Sequence, residues 1–157
     1  MYLWLVTLHL VGVVLFALTH GVSMFVVFRI PHERNRDVIA ALLALSSRAN
    51  QTMYLGLLLL AIGGFGAAWL NAWLLQPWII ASYVVLIGTM IAMYAIGAGF
   101  YYPLRDELVG TEKVARLDDE ALFAKLAASR RPHVLAAVGL GALVILVGLM
   151  VLKPGLA

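Results

Sequence analysis

Four long runs of apolar residues, free of charged side chains, dominate the chain. They cover residues 2–28, 52–75, 78–102 and 133–152. Each run can cross a hydrocarbon core of about 30 Å as a helix that rises about 1.5 Å per residue. Because a backbone in lipid must satisfy its own hydrogen bonds, such runs fold as helices. The pattern predicts an all-α fold, an integral membrane four-helix bundle that forms a single transmembrane domain over residues 1–157.

Composition excludes the main alternative classes. The chain is 64% hydrophobic and 12% charged, whereas a soluble domain is about half apolar and about a quarter charged. A water-soluble globule is therefore excluded, and the lipid bilayer is the expected partner, with nucleic acid excluded as a ligand. Since the chain has no cysteine, disulfides, thiolate metal sites and iron–sulfur clusters are excluded as well.

The distribution of basic residues predicts the orientation in the membrane. Ten of the eleven Lys and Arg side chains lie in the loops 29–51 and 103–132, and the eleventh is Lys153. The positive-inside rule places these two loops in the cytoplasm. Both termini then face outward, giving an N-out/C-out, multi-pass protein of the inner (plasma) membrane. The first run lacks the basic start and cleavage site of a signal peptide, so we expect it to be retained.

Both cytoplasmic loops contain helical patterns of their own. Residues 37–50 carry apolar side chains at helical spacing and predict a short interfacial helix that leads into the second run. Residues 118–131 begin with acids and end with arginines, which suits both ends of a helix dipole. We therefore expect short cytoplasmic interfacial helices in both loops.

Histidine is the main candidate for chemistry within the membrane. The four runs contain no Asp, Glu, Lys or Arg, which argues against a proton-coupled transporter. They also lack the residue patterns of serine hydrolases and zinc proteases. His9 and His20 lie within the first run, whereas His32 and His133 lie in a loop and at a boundary, where a structural role is expected. Whether the protein is an enzyme stays open.

The spacing of His9 and His20 is typical of a helix that carries heme ligands. Eleven residues correspond to about three turns, which places both imidazoles on nearly one face, about 16 Å apart along the axis. Imidazole is a common axial ligand of heme iron. We therefore predict binding of heme b through His9 and/or His20, in the service of electron transfer or a heme-linked oxidoreductase step.

The second axial ligand is open at this point, because the second and third runs contain no histidine. It could come from a second copy in a homo-oligomer, from another membrane subunit or from methionine, or the sixth position could be vacant. Met24 lies one turn from His20, and Met90 and Met93 lie near its depth. Methionine ligates heme iron or Cu(I), so the same side chains support copper handling as an alternative.

Two further interpretations need no metal. A membrane histidine often only hydrogen-bonds to a carbonyl of a neighbouring helix. The small-residue pairs Gly88/Ala92 and Ala137/Gly141 also have the spacing that lets membrane helices pack closely. The chain could then be a non-catalytic accessory subunit of a larger membrane complex.

The N-terminal run YLWLVTLHLVGVV, with Tyr2, Trp4 and His9, resembles the opening of the HemJ-type protoporphyrinogen oxidase and copper-resistance protein D group of four-helix membrane proteins. The match continues through the first two runs at Phe28, Arg29, Arg48, Met53 and Tyr54. In the HemJ-type family, the histidine that corresponds to His9 is linked to heme b together with a lysine of the third helix. Residues 78–102 contain no lysine, so the resemblance implies a relative of this group rather than the enzyme itself.

Overall fold

The computed structural model describes residues 1–109 and 128–155, and all of its long elements are helices. Four of them are long and apolar enough to cross a membrane. This architecture confirms the predicted all-α class and the helical membrane bundle. In chain order the elements are α1 (Tyr2–Arg29), a 3₁₀ turn (Ile30–His32), α2 (Arg36–Leu70), α3 (Pro77–Val109) and α4 (Arg131–Leu152).

Two helices extend beyond the apolar runs that predicted them. The segment 37–50, predicted as an interfacial helix, is the first part of one continuous helix α2. Helix α3 continues past Pro103 to Val109, although proline costs a helix one backbone hydrogen bond. Hydropathy therefore marks the lipid-facing part of a helix rather than its ends. The predicted helix over 118–131 falls mainly outside the described residues.

The connection between α1 and α2 is held by side chains that bind free backbone N–H groups. The Oδ1 atom of Asn35 caps α2 by accepting from the N–H groups of Asp37, at 2.9 Å, and Val38, at 3.4 Å. Glu33 Oε1 accepts from the N–H groups of Arg34 and Asn35, at 2.9 and 3.0 Å. Its Oε2 accepts from Arg29 Nη2 at 2.7 Å. These contacts satisfy donors that the helix start leaves unpaired.

Glycines allow α1 and α2 to pack backbone against backbone. A Cβ on Gly12 would collide with the backbone N of Leu60, and a Cβ on Gly56 would lie 2.8 Å from the backbone N of Phe16. A Cβ on Gly63 would lie 2.5 Å from the backbone N of His9. Small residues at crossing points are the main means by which helices associate closely in lipid. Helices α1 and α2 therefore form one tight pair.

The bundle consists of two helix pairs with a sparse seam between them. Helix α3 packs mainly against α4, as α1 packs against α2, and the contacts between the pairs are few. Buried side chains concentrate near the two ends of the bundle, whereas most large apolar side chains of the middle are exposed, as expected for surfaces that face lipid. At the end that holds the α2–α3 connection, the buried cluster consists of Ala68, Trp78 and Ile79, with Trp73, Leu74 and Met150 packed against it.

Gly12→Ala should destabilise the bundle, because the added methyl meets backbone atoms that no side-chain rotation can move. Overpacking of this kind costs about 1–3 kcal/mol. Gly21→Ala is the matched control on the same helix, since a Cβ there meets nothing within 4 Å. Reversible unfolding in detergent gives the free energy of unfolding of both variants. Equal stability of the two would contradict the packing described here.

The carboxyl group of Glu33 should titrate below its ordinary pKa of 4.5. Hydrogen bonds from the backbone N–H groups of Asn35 and Arg34 are the main causes that lower this pKa. Desolvation opposes them, and the charge of Arg29 adds a smaller lowering effect. A lowered carboxyl pKa stabilises the connection at neutral pH, and the stabilisation is lost as the pH falls through that lowered pKa.

Carbon-13 NMR titration of Glu33 measures this pKa directly. Amide exchange at Arg34 and Asn35 should accelerate in the same acidic range, and Glu33→Gln should remove that pH dependence. A pKa at or above 4.5 would show that the hydrogen bonds of the connection do not form.

Candidate functional site

His9 projects from α1 into the interface with α2. Its Nδ1 atom lies 2.8 Å from the backbone carbonyl oxygen of Leu60. Gly64, one turn further along α2, makes room for the ring, because a Cβ at that position would lie 2.8 Å from Nδ1 and 3.1 Å from Cε1. The half-buried imidazole therefore rests directly against the backbone of α2.

The hydrogen bond to Leu60 sets the tautomer of His9. A carbonyl oxygen only accepts, so Nδ1 must carry the proton and donate it. In the neutral ring the lone pair then lies on Nε2, which forms no hydrogen bond within the described part of the chain. Metal-bound histidines commonly donate one ring N–H to a backbone carbonyl, which orients the ring, and bind the metal through the other nitrogen.

His20 lies at the seam between the helix pairs. Phe16, one turn earlier on α1, stacks parallel to its ring, with ring centres 5.8 Å apart and an angle of 2° between the planes. On the other side the ring faces Gly139 of α4, where a Cβ would lie 2.8 Å from His20 Nε2. The same Cβ on Gly139 would lie 3.5 Å from the Cε methyl of Met93 on α3. Three helices thus bring His20 and Met93 together at a glycine.

The predicted ligands therefore occupy two environments. His9 faces α2, whereas His20 faces α3 and α4. Met93 is the methionine that reaches the position next to His20; Met24 is half-buried one turn from His20, and Met90 is 44% exposed. Within residues 1–109 and 128–155, no three His, Cys, Asp or Glu side chains cluster in a way that could hold a metal ion.

Several neighbours of the two histidines are absent from the sequence prediction. The carbonyl of Leu60 carries no side-chain signal at all, and Gly64 resembles the other glycines of its helix. Phe16 could have been found, because a residue four positions before His20 lies on the same helix face. Gly139 could be predicted only as one of several glycines able to make room for a cofactor.

A polar contact between α1 and α2 lies one turn from His20. The hydroxyl of Ser23 donates to Asn50 Oδ1 at 3.1 Å. Asn50 belongs to the segment predicted as interfacial, and its hydrogen bond across the helix pair could not be predicted without the partner helix. This contact adds a hydrogen bond to the glycine packing that holds α1 on α2.

The two remaining histidines lie at the end of the bundle that carries most charges. His32 is exposed at the end of the 3₁₀ turn. His133, near the start of α4, packs its ring edge-to-face with Phe28 of α1, with ring centres 5.1 Å apart. This contact crosses the seam between the helix pairs, which agrees with a structural role.

The small-residue pairs of α3 and α4 line an open groove of about 430 Å³. Its lining includes Gly88 and Ala92 on one side and Ala137 and Gly141 on the other. A Cβ added to Gly88 or Gly141 would meet nothing within 4 Å. These residues thus leave space between α3 and α4, unlike the glycines between α1 and α2.

The helices and their apolar surfaces define an integral membrane protein. Residues 3–154 match the model of the family described as predicted integral membrane protein DUF2269. The chain belongs to this family. A search of curated proteins and of solved structures finds no match to the chain. The match supports the membrane class, while the resemblance to the HemJ-type and copper-resistance protein D group stays a prediction.

Proposed function

We propose that this protein binds b-type heme in the membrane through His9 and/or His20 and serves electron transfer or a heme-linked oxidoreductase step. The observation that carries the proposal is the 2.8 Å hydrogen bond from His9 Nδ1 to the Leu60 carbonyl. It leaves the Nε2 lone pair of His9 available to iron and holds the ring in one orientation. A histidine that only links two membrane helices forms the same hydrogen bond, and the spectra described below separate the two roles.

The positions of the two histidines suit electron transfer across the apolar layer. They lie about three helical turns apart on α1, which separates them by about 16 Å along the helix axis. Iron bound near each position would give two steps between the membrane faces. The resemblance of the N-terminal run to the HemJ-type family supports the same role for His9. Because the described part of α3 contains no lysine, protoporphyrinogen oxidation is not part of the proposal.

Copper(I) handling is the second candidate, favoured by the approach of His20 and Met93 to one position beside Gly139. Imidazole and thioether are ligands that Cu(I) accepts, and the thioether in particular selects for soft ions. A His and Met pair also ligates heme iron in some cytochromes. The chemistry of these two side chains therefore favours a metal site at the seam without choosing between the two metals.

Absorption spectra of the purified protein test the heme proposal. Protein made under heme-replete conditions and purified in detergent should show a Soret band that shifts on reduction. His9→Ala should remove this band or shift it and lower the iron content, because the ligand nitrogen is lost. His20→Ala tests the second ligand position in the same way. Iron and copper analysis of each sample separates the two metals.

His32→Ala is the matched control, since it removes an exposed imidazole outside the membrane helices. It should leave the spectrum and metal content unchanged. Absence of visible absorbance from heme-replete wild-type protein would contradict the heme proposal. Copper bound at His20 and Met93 without heme would favour copper(I) handling. If the protein bound neither metal, the role of an accessory subunit would remain.

We further propose that the protein resides in the inner (plasma) membrane, with the charged loops in the cytoplasm and both termini outside. The support is that ten of the eleven Lys and Arg residues lie in segments 29–51 and 103–132. Single cysteines can test this, because the chain contains none. A membrane-impermeant maleimide applied to intact cells should label the Ala72→Cys variant. It should not label the Arg34→Cys variant. The reverse pattern would overturn the orientation.

A further inference from the structure

A cluster of aromatic rings at the α2–α3 end of the bundle surrounds the ammonium group of Lys153. The Nζ atom lies 4.9 Å from the centre of the Trp73 ring and 5.7 Å from that of Trp78. The two indoles meet at 61° with centres 5.8 Å apart. Tyr2 closes the group by an edge contact with Trp73, at 6.2 Å and 89°. We call Tyr2, Trp73 and Trp78 the aromatic box.

The aromatic box joins all parts of the bundle. Tyr2 belongs to α1, Trp73 to the connection after α2, and Trp78 to α3, while Lys153 follows α4. Trp78 is only 3% exposed, and its Nε1 has no hydrogen-bond acceptor within the described residues. Its position is therefore set by ring packing rather than by its polar atom. A cation against the ring faces is the polar contact that this cluster does make.

Lys153 ends helix α4. Lys153 has φ 42° and ψ 57°, in the left-handed region that favours glycine. Gly155, two residues later, also has a positive φ of 85°. A residue in the left-handed region is a common way for a helix to end, and the N–H of Lys153 donates to the Leu149 carbonyl at 3.0 Å. Within the described residues, its side chain contacts the rings of Trp73 and Trp78 through the ammonium group.

The charge of Lys153 has no carboxylate partner in the described part of the chain. It is also the basic residue that lies apart from the two charged loops. Next to lipid, a cation without a counter-ion is costly. The electron-rich faces of tryptophan attract cations, most strongly where water is excluded. The box therefore compensates a charge that no carboxylate of the described residues pairs.

We propose that the aromatic box is an ammonium-binding site whose resident ligand is the chain's own Lys153. Binding of this ammonium group fastens the end of α4 to the α2–α3 connection and to the start of α3. The edge contact of Tyr2 with Trp73 extends this attachment to α1. The box thus closes one end of the seam between the helix pairs, and the Phe28–His133 contact lies on the same seam at the other end. This inference is independent of the proposed heme or copper site.

Chemical rescue tests this site. Lys153→Ala empties the box and should lower the midpoint of thermal unfolding in detergent by roughly 2–4 °C, given the usual strength of a cation–π contact made by a half-buried lysine. Butylammonium reproduces the lost end of the lysine side chain. Added at millimolar concentrations, it should restore much of the loss in Lys153→Ala and leave the wild type unchanged. Sodium chloride at equal ionic strength should not.

Three further variants separate the ammonium site from general packing. Lys153→Arg keeps a cation and should stay close to wild type, whereas Lys153→Met keeps the apolar stem and should be destabilised like alanine. The double variant Lys153→Ala/Trp73→Leu should lose the rescue by butylammonium. Wild-type stability of Lys153→Met would overturn the proposal. So would equal rescue by sodium chloride, or rescue that persists without Trp73.

Discussion

The close approach of α1 and α2 is the contact on which the candidate site depends. Gly63 of α2 lets the backbone of α1 approach closely at His9. A Cβ on Gly63 would lie 2.5 Å from the backbone nitrogen of His9. This approach brings the Leu60 carbonyl within 2.8 Å of Nδ1. Leu60 lies in the interior of α2, so its carbonyl already accepts a helical bond and offers its second lone pair. The free nitrogen of His9 is thus a consequence of helix packing.

The second helix pair is attached more loosely, through side chains rather than backbone. Phe28 with His133, His20 with Gly139 and Met93, and the aromatic box with Lys153 are contacts that cross between parts of the bundle. Each uses a ring, and two of them use histidine. Lipid tails are as apolar as the surfaces of the helices, so exchanging lipid contacts for helix contacts stabilises the bundle only weakly. Specific contacts of this kind therefore determine how the pairs are arranged, and His20 lies at one of them.

Part of this structure could be predicted from local patterns, and part could not. The runs around Leu60 and Val144 predict helices because lipid requires internal hydrogen bonding of the backbone. Pro103 is a signal for a helix end, yet α3 continues through it to Val109. Likewise, polar residues such as Arg48 and Asn50 predict a separate interfacial segment, whereas α2 is continuous. Helix ends depend on neighbouring elements, which hydropathy does not describe.

The sequence by itself determined that the chain is a helical membrane protein and that imidazole and thioether groups are its candidates for chemistry within the membrane. Both conclusions follow from the residue types that lipid tolerates. Tertiary structure alone decided that His9 bonds a carbonyl of α2, that Met93 rather than Met90 reaches His20, and that Lys153 enters the aromatic box. The reason is that each contact joins residues of different helices, and their distances depend on how closely the backbones pack.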